Sequence, residues 1–245
     1  MDFMVQYCKR GDFMKTFRLV SYNICSAHFA QGHYTEQNLH RLAMTLMDAS
    51  FDAVCLQEVD RGAARSEGVD MTARLAELAR YDYTYFIKIR DFQGGEYGTA
   101  ILSRHPILQA QTLNFAVKIA KQGTSCGFVV LDVDGQRVTV FNTHLSIESE
   151  DANTDTMLCL GDILNDYADK NGAKLLCCGD FNTNPDKLAK HLPRFGRANA
   201  DLHTYADRCI DNVLYLGYEI TNVSTRPTAQ TCVTDHNMLI CDVIL

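Results

Sequence analysis

Short apolar runs, most of them closing on a polar residue, recur along almost the whole of this chain. Ten read as strands: FRLVSYNI (17–24), DAVCLQE (52–58), YTYFIKI (83–89), TAILS (99–103), CGFVVLDV (126–133), RVTVFNTHL (137–145), KLLCCGD (174–180), NVLYL (212–216), YEITNV (218–223) and MLICDVIL (238–245). β-Branched and aromatic residues fill them, and turn residues separate them. Asp134-Gly135 joins two runs and is a strong hairpin signal. So much strand is more than one open sheet holds comfortably, so two packed sheets are expected.

Three helices lie between the strands. Leu39, Leu42, Ala43, Leu46 and Met47 recur at helical spacing, as do Leu160, Ile163, Leu164, Tyr167 and Ala168. Met71, Leu75, Leu78 and Ala79 form a shorter set with Asp70 placed as N-cap. The expected fold is of the α/β (α+β) class: mixed or antiparallel sheets flanked by helices. No repeat or linker breaks the chain, so residues 17–245 read as one domain and residues 1–16 as an N-terminal extension.

The 47% hydrophobic content suits a large core, and no run approaches the roughly 20 apolar residues of a membrane span. The N-terminus carries Asp2, Lys9, Arg10 and Asp12 without a long apolar stretch, unlike a secretory signal. The ten cysteines contain no C-x-x-C and sit mostly in apolar runs. Reduced core thiols in a cytoplasmic protein are the expectation, and a zinc–thiolate site is disfavoured. A net charge of −7 and the lack of any Lys/Arg run argue against a broad nucleic-acid surface. No signal for oligomeric state is present.

The polar residues at the ends of these runs form a chemical set. Asn23, Glu58, His144 and Asp180 close apolar strands, while Asp211 and Asp235-His236 open them. If the late strands run antiparallel to the early ones, all converge on one rim. Asp180 and Asn182 share parity, so continued extended geometry would point both side chains one way. Glu58, Asp235 and Asn23 are hard oxygen ligands suited to Mg²⁺ or Mn²⁺. His144 and His236 can donate to phosphate and exchange protons near neutral pH. Asp180 can orient or deprotonate water, and Asn182 can donate to a phosphate oxygen. Together they describe phosphoryl transfer to water. Taken singly, each is as readily a turn, cap or structural residue.

The segments SYNI, LQEVD, GGEYGTAILSRHPI, FNTHL, GDFNTNP, IDNVL and TDH stand in the order found in the endonuclease/exonuclease/phosphatase superfamily, which this chain resembles over about residues 17–245. The resemblance implies a four-layer αββα sandwich and a Mg²⁺-dependent (or Mn²⁺-dependent) phosphohydrolase. It implies Glu58 as principal metal ligand, with Asn23 and Asp235 at or near the metal. It makes Asp180 the residue that aligns water, with Asn182 as its partner on the phosphate. His144 and His236 become the pair that grips and protonates the phosphoryl group, with Asp211 orienting His236 and Glu96 behind His144. EVDRGAARSEGVD further resembles a group of compact bacterial hydrolases, so Arg61, Arg65 and Asp70 either line the cleft or form a solvated loop.

Four departures stand out: Thr234 where serine is common, Met238 where proline is common, Thr99 for a frequent asparagine, and no arginine after NTHL. The last stretch instead carries Glu148, Glu150, Asp151 and Asp155, an edge expected to repel a polyanion. The leading expectation is a metal-dependent phosphoesterase, a phosphodiesterase or phosphomonoesterase acting on a small or lipid-like substrate. A nuclease is the alternative, and a catalytically inactive binding protein a further one.

Overall fold

A computed structural model describes residues 15–28, 32–48, 50–122, 124–172, 174–228 and 234–245. Most of the expected N-terminal extension, residues 1–14, lies outside them. Two βαβ units organise the architecture. In the first, β1 (Thr16–Asn23) leads through α1 (Glu36–Leu46) to β2 (Ala53–Arg61), and β1 and β2 pair in parallel. In the second, β7 (Gln136–His144) leads through α3 (Glu150–Asn171) to β8 (Leu175–Asp180), again in parallel. Parallel neighbours need such a crossover.

Every other pairing is antiparallel. The first sheet is completed by α2 (Met71–Ala79) leading into β3 (Tyr83–Phe92), then β4 (Gly95–Ser103), β11 (Glu219–Arg226) and β12 (Met238–Ile244), in the order β11-β12-β1-β2-β4-β3. The second gains β5 (Ile107–Asn114), β6 (Ser125–Val133), β9 (Gly196–Arg197) and β10 (Asp211–Leu216), in the order β5-β6-β7-β8-β10-β9. A short helix, α4 (Pro185–His191), follows β8. The β6–β7 hairpin turns at Asp134 and Gly135, both at positive φ as the sequence requires.

Three apolar clusters separate four layers. Phe17, Leu19, Cys55, Val213, Cys178 and Cys241 meet between the sheets. Leu39, Leu42 and Leu46 of α1 join Leu75 of α2 on the outer face of the first sheet, and Leu160 and Leu164 of α3 cover the second. This is the αββα sandwich expected. Asp70 does cap α2, accepting from Ala73 N at 3.0 Å. No helix among the described residues is long and apolar enough to cross a membrane.

Candidate active site

The C-terminal ends of the two parallel pairs face each other across the sandwich. Asn23 ends β1, His144 ends β7 and Asp180 ends β8. The Cα register sets Asp180 beside His144 on one side and beside Asp211, the first residue of β10, on the other. Thr234 ties the segment before β12 to the same rim: its Oγ1 donates to Asn23 O at 2.8 Å and accepts from His236 N at 3.2 Å. The threonine thus supplies the hydroxyl that serine commonly does.

Glu58 reaches the cleft through a bulge. Leu56 pairs with Ala100 and Val59 with Gly98, so β2 carries one more residue than β4. Glu58 absorbs it at φ +57°, a left-handed conformation costing about 1–2 kcal/mol for such a residue. Bulges re-aim side chains in this way. The carbonyls at the break are satisfied from the opposite sheet: Asn142 Nδ2 donates to Leu56 O and Ala100 O, each at 2.9 Å. Asn142 Oδ1 in turn accepts from Gln57 Nε2 at 2.8 Å. This buried network pins the sheets together beneath the site. Its sequence signal was a pair of polar residues, Gln57 and Asn142, inside otherwise apolar runs.

A cavity of about 340 Å³ is lined by Glu58, Asp180, Asp235, His144 and His236. Among the described residues, no lysine or arginine forms an ion pair with the three carboxylates. Asp180 Oδ2 lies 3.6 Å from His144 Nε2 and 3.7 Å from His236 Nε2, and Asp235 lies 4.0 Å from His236 Nε2. Burial and the charges of Glu58 and Asp235 push the neighbouring Cys25 thiol up to about 12. Such a surplus of oxygen donors suits a hard divalent cation. Asp180, Asp211 and His236 also place donor atoms within 4.8 Å of one another. Asp211 Oδ1 is buried there without a hydrogen-bond partner among the described residues.

The hydrogen bond between Asp211 and His236 is 2.8 Å long, from His236 Nδ1 to Asp211 Oδ2. Burial drives the His236 pKa down, but the hydrogen bond and charge of Asp211, helped by Asp180 and Asp235, outweigh it and raise it to about 9. Burial, then Asp180, push the Asp211 carboxyl up. Nε2 of His236 is left facing the cavity. The Tyr205 ring packs against the imidazole, centroids 4.8 Å apart.

Two expectations are corrected here, for Asn182 and for Glu96. Asn182 does not continue the strand: it sits at φ +51°, and its N–H donates to Asp180 Oδ1 at 2.9 Å. A turn, not shared parity, brings both into the cleft. Asn23 turns its amide nitrogen inward, donating to Glu58 Oε1 at 3.1 Å and Asp180 Oδ2 at 3.0 Å, while its oxygen accepts from Cys25 N. Asn23 thereby bridges two carboxylates through its amide nitrogen, and its oxygen keeps a second lone pair. Glu96 does not stand behind His144. It pairs with Arg61 across the β2–β4 register and with Lys88 at 3.0 Å. Its neighbour Tyr97, on the opposite face of β4, takes that place, Oη to Nδ1 at 3.4 Å.

Asn182 Nδ2 donates to Leu145 O at 3.0 Å and lies 3.0 Å from His144 Nε2. Arg65 lies outside the cavity lining, held at 2.7 Å and 2.8 Å by Asp60. Glu148 and Asp155 do not form a bare acidic edge, since they accept pairs of backbone N–H groups from Lys121 and Gln122 and from Lys118 and Ile119. Tyr97 stands inside the GGEYG motif without having been given a role, and Tyr205 and Arg208 are cavity residues that no sequence motif marked.

The model of the endonuclease/exonuclease/phosphatase family matches residues 20–236. No curated protein matches the chain. Among solved structures, an endonuclease/exonuclease/phosphatase from Beutenbergia cavernae superposes with a TM-score of 0.78 at 21% identity, covering 94% of this chain and 72% of that one. The human Nocturnin catalytic domain gives 0.72 at 18%, covering 93% and 94%. A mannosyl-6-phosphatase of Bacteroides thetaiotaomicron gives 0.71 at 11%, covering 94% and 100%. At these identities the likeness is one of fold.

Proposed function

Because this chain belongs to the endonuclease/exonuclease/phosphatase family, we propose that its cleft hydrolyses a phosphoester by in-line attack of water, with Mg²⁺ or Mn²⁺ as cofactor and a small or lipid-like substrate. One observation carries the reading: three carboxylates that, among the described residues, have no lysine or arginine partner share a cavity with a carboxylate-backed imidazole.

Glu58 and Asp235 are the residues that would hold the cation, with Asn23 fixing Glu58 relative to Asp180. When bound, the cation polarises a phosphoryl oxygen and offsets its developing charge. Asp180 accepts a hydrogen bond from the attacking water and orients it. His236, held protonated by Asp211, donates from Nε2 to the phosphoryl group and the leaving oxygen. Asn182 Nδ2 and His144 stand on the same wall to receive the remaining phosphoryl oxygens. Asn182 is already pinned by Leu145 O, so this donor is pre-oriented.

Initial rates on one chromogenic monoester and one diester, with and without Mg²⁺, test the proposal. Metal-dependent turnover is expected, falling about a hundredfold or more in Asp180→Asn. A wild-type rate no greater than that of Asp180→Asn overturns it. Cleavage of duplex DNA whose binding weakens steeply with salt would move the substrate class to nucleic acid.

A further inference from the structure

The same cavity carries positive charge on its other walls. Arg90 and Arg208 both line it. Nearby arginines are spent on carboxylates: Arg61 on Glu96 and Arg65 on Asp60. Arg90 and Arg208 have no carboxylate partner among the described residues. Arg90 Nη1 donates to the neutral amide of Gln122, and its Nε is buried without an acceptor. Its guanidinium lies 5.0 Å from the Tyr97 ring centroid, and Tyr97 touches His144. Arg208 lies 6.0 Å from the Tyr205 ring centroid, and Tyr205 packs on His236. Each histidine is thus linked through a tyrosine to a guanidinium that makes no ion pair among the described residues, although the Arg90 charge is felt by Glu148. Glu148, the carboxylate on the Arg90 wall, is occupied by the amides of Lys121 and Gln122.

From this arrangement we infer that Arg90 and Arg208 form a second anion subsite, so that the substrate is a phosphoester bearing another anionic group, phosphate or carboxylate, apart from the scissile one. The inference rests on the phosphoester reading of the neighbouring site. Its chemistry is that of guanidinium, whose planar donors match such groups bidentately. Gln122 limits the swing of Arg90, and the rings of Tyr97 and Phe92 beside it give the guanidinium a platform. A substrate with a single anion would leave this charge unanswered.

Binding, read separately from turnover, tests the subsite. The probes are α,ω-alkanediol bisphosphates of increasing chain length, set against alkyl monophosphates and ω-carboxyalkyl phosphates of equal length. Calorimetry with Asp180→Asn in Mg²⁺ is expected to show a bisphosphate of one length binding about tenfold or more tighter than its monophosphate. The carboxyalkyl series tells which anion is preferred. Arg90→Gln and Arg208→Gln should each shrink that ratio, and Arg90→Lys should retain part of it. With Asp180 intact, Arg90→Gln should raise KM for the dianionic ester by a larger factor than for a single-anion ester. Equal affinity for mono- and bisphosphates at every length overturns the subsite, as does a ratio unmoved by both arginine variants. Preferential binding without hydrolysis by the wild type would keep the subsite and remove the phosphoesterase reading.

Discussion

Two opposing forces act on one proton at His236. Burial alone would drive the imidazole below its ordinary value of 6.5, and the Asp211 carboxylate at 2.8 Å more than reverses it, to about 9. The folded state therefore holds the proton more tightly than the unfolded chain. The stability this contributes is fully present below the unfolded value and is lost as pH rises through the folded one. Metal-free protein is accordingly expected to lose stability between about pH 6.5 and 9. In Asp211→Asn the imidazole loses its main stabilising partner, burial is less opposed, and the slope in that window should flatten. Urea midpoints measured against pH in the presence of a chelator check this. An unchanged slope in the variant would show that the pair does not carry the effect.

The elements were legible where a periodic pattern met a simple boundary. The apolar spacings of α1, α2 and α3 and the Asp134-Gly135 turn needed no tertiary information. β5 was missed because ILQAQTLN has few apolar residues to show, and most of its side chains are exposed at the sheet edge. α4 was missed although Asn184 at its N-cap and Pro185 in its first turn were readable signals. The site residues were readable as a set because strand ends must converge once antiparallel neighbours are added. Their aims were not, because aim depends on non-local facts. The Glu58 bulge is defined against β4, and the Asn23 amide is oriented by Cys25 and two carboxylates. β8 shows what was legible: LLCCG is buried throughout, and Cys178 lies in the layer between the sheets with Cys55 and Cys241. Cys178→Ser places a hydroxyl there in surroundings poor in acceptors, which should cost about 1–3 kcal/mol. The expected outcome is a melting temperature lower by several degrees with kcat unchanged per folded molecule. A large loss of kcat at unchanged melting temperature would give this cysteine a chemical role.

At the scale of the whole molecule, the cleft is a seam between two sheets. Asn142 and Gln57 stitch it from below through neutral hydrogen bonds. Above them the seam gathers three carboxylates: Glu58 from the first sheet, Asp180 from the second and Asp235 from the segment entering β12. Without a metal cation Glu58 and Asp180 repel across the seam, and the Asn23 amide bridges them. A divalent ion bound there holds the layers together and favours the folded state by mass action. At a concentration about 100 times its dissociation constant it adds about 2.7 kcal/mol, or roughly 5–10 °C in melting temperature for a chain of this size. Glu58→Gln keeps the shape of the side chain and removes one charge. It should raise the melting temperature of the metal-free protein slightly, because repulsion falls. It should also shift the Mg²⁺ titration of melting temperature to higher concentration, because a ligand is lost. The two shifts have opposite sign, so general destabilisation cannot mimic them. A Glu58→Gln variant that melts lower without metal and titrates with Mg²⁺ like the wild type would remove Glu58 from the metal site and leave the bulge at φ +57° without a functional cause.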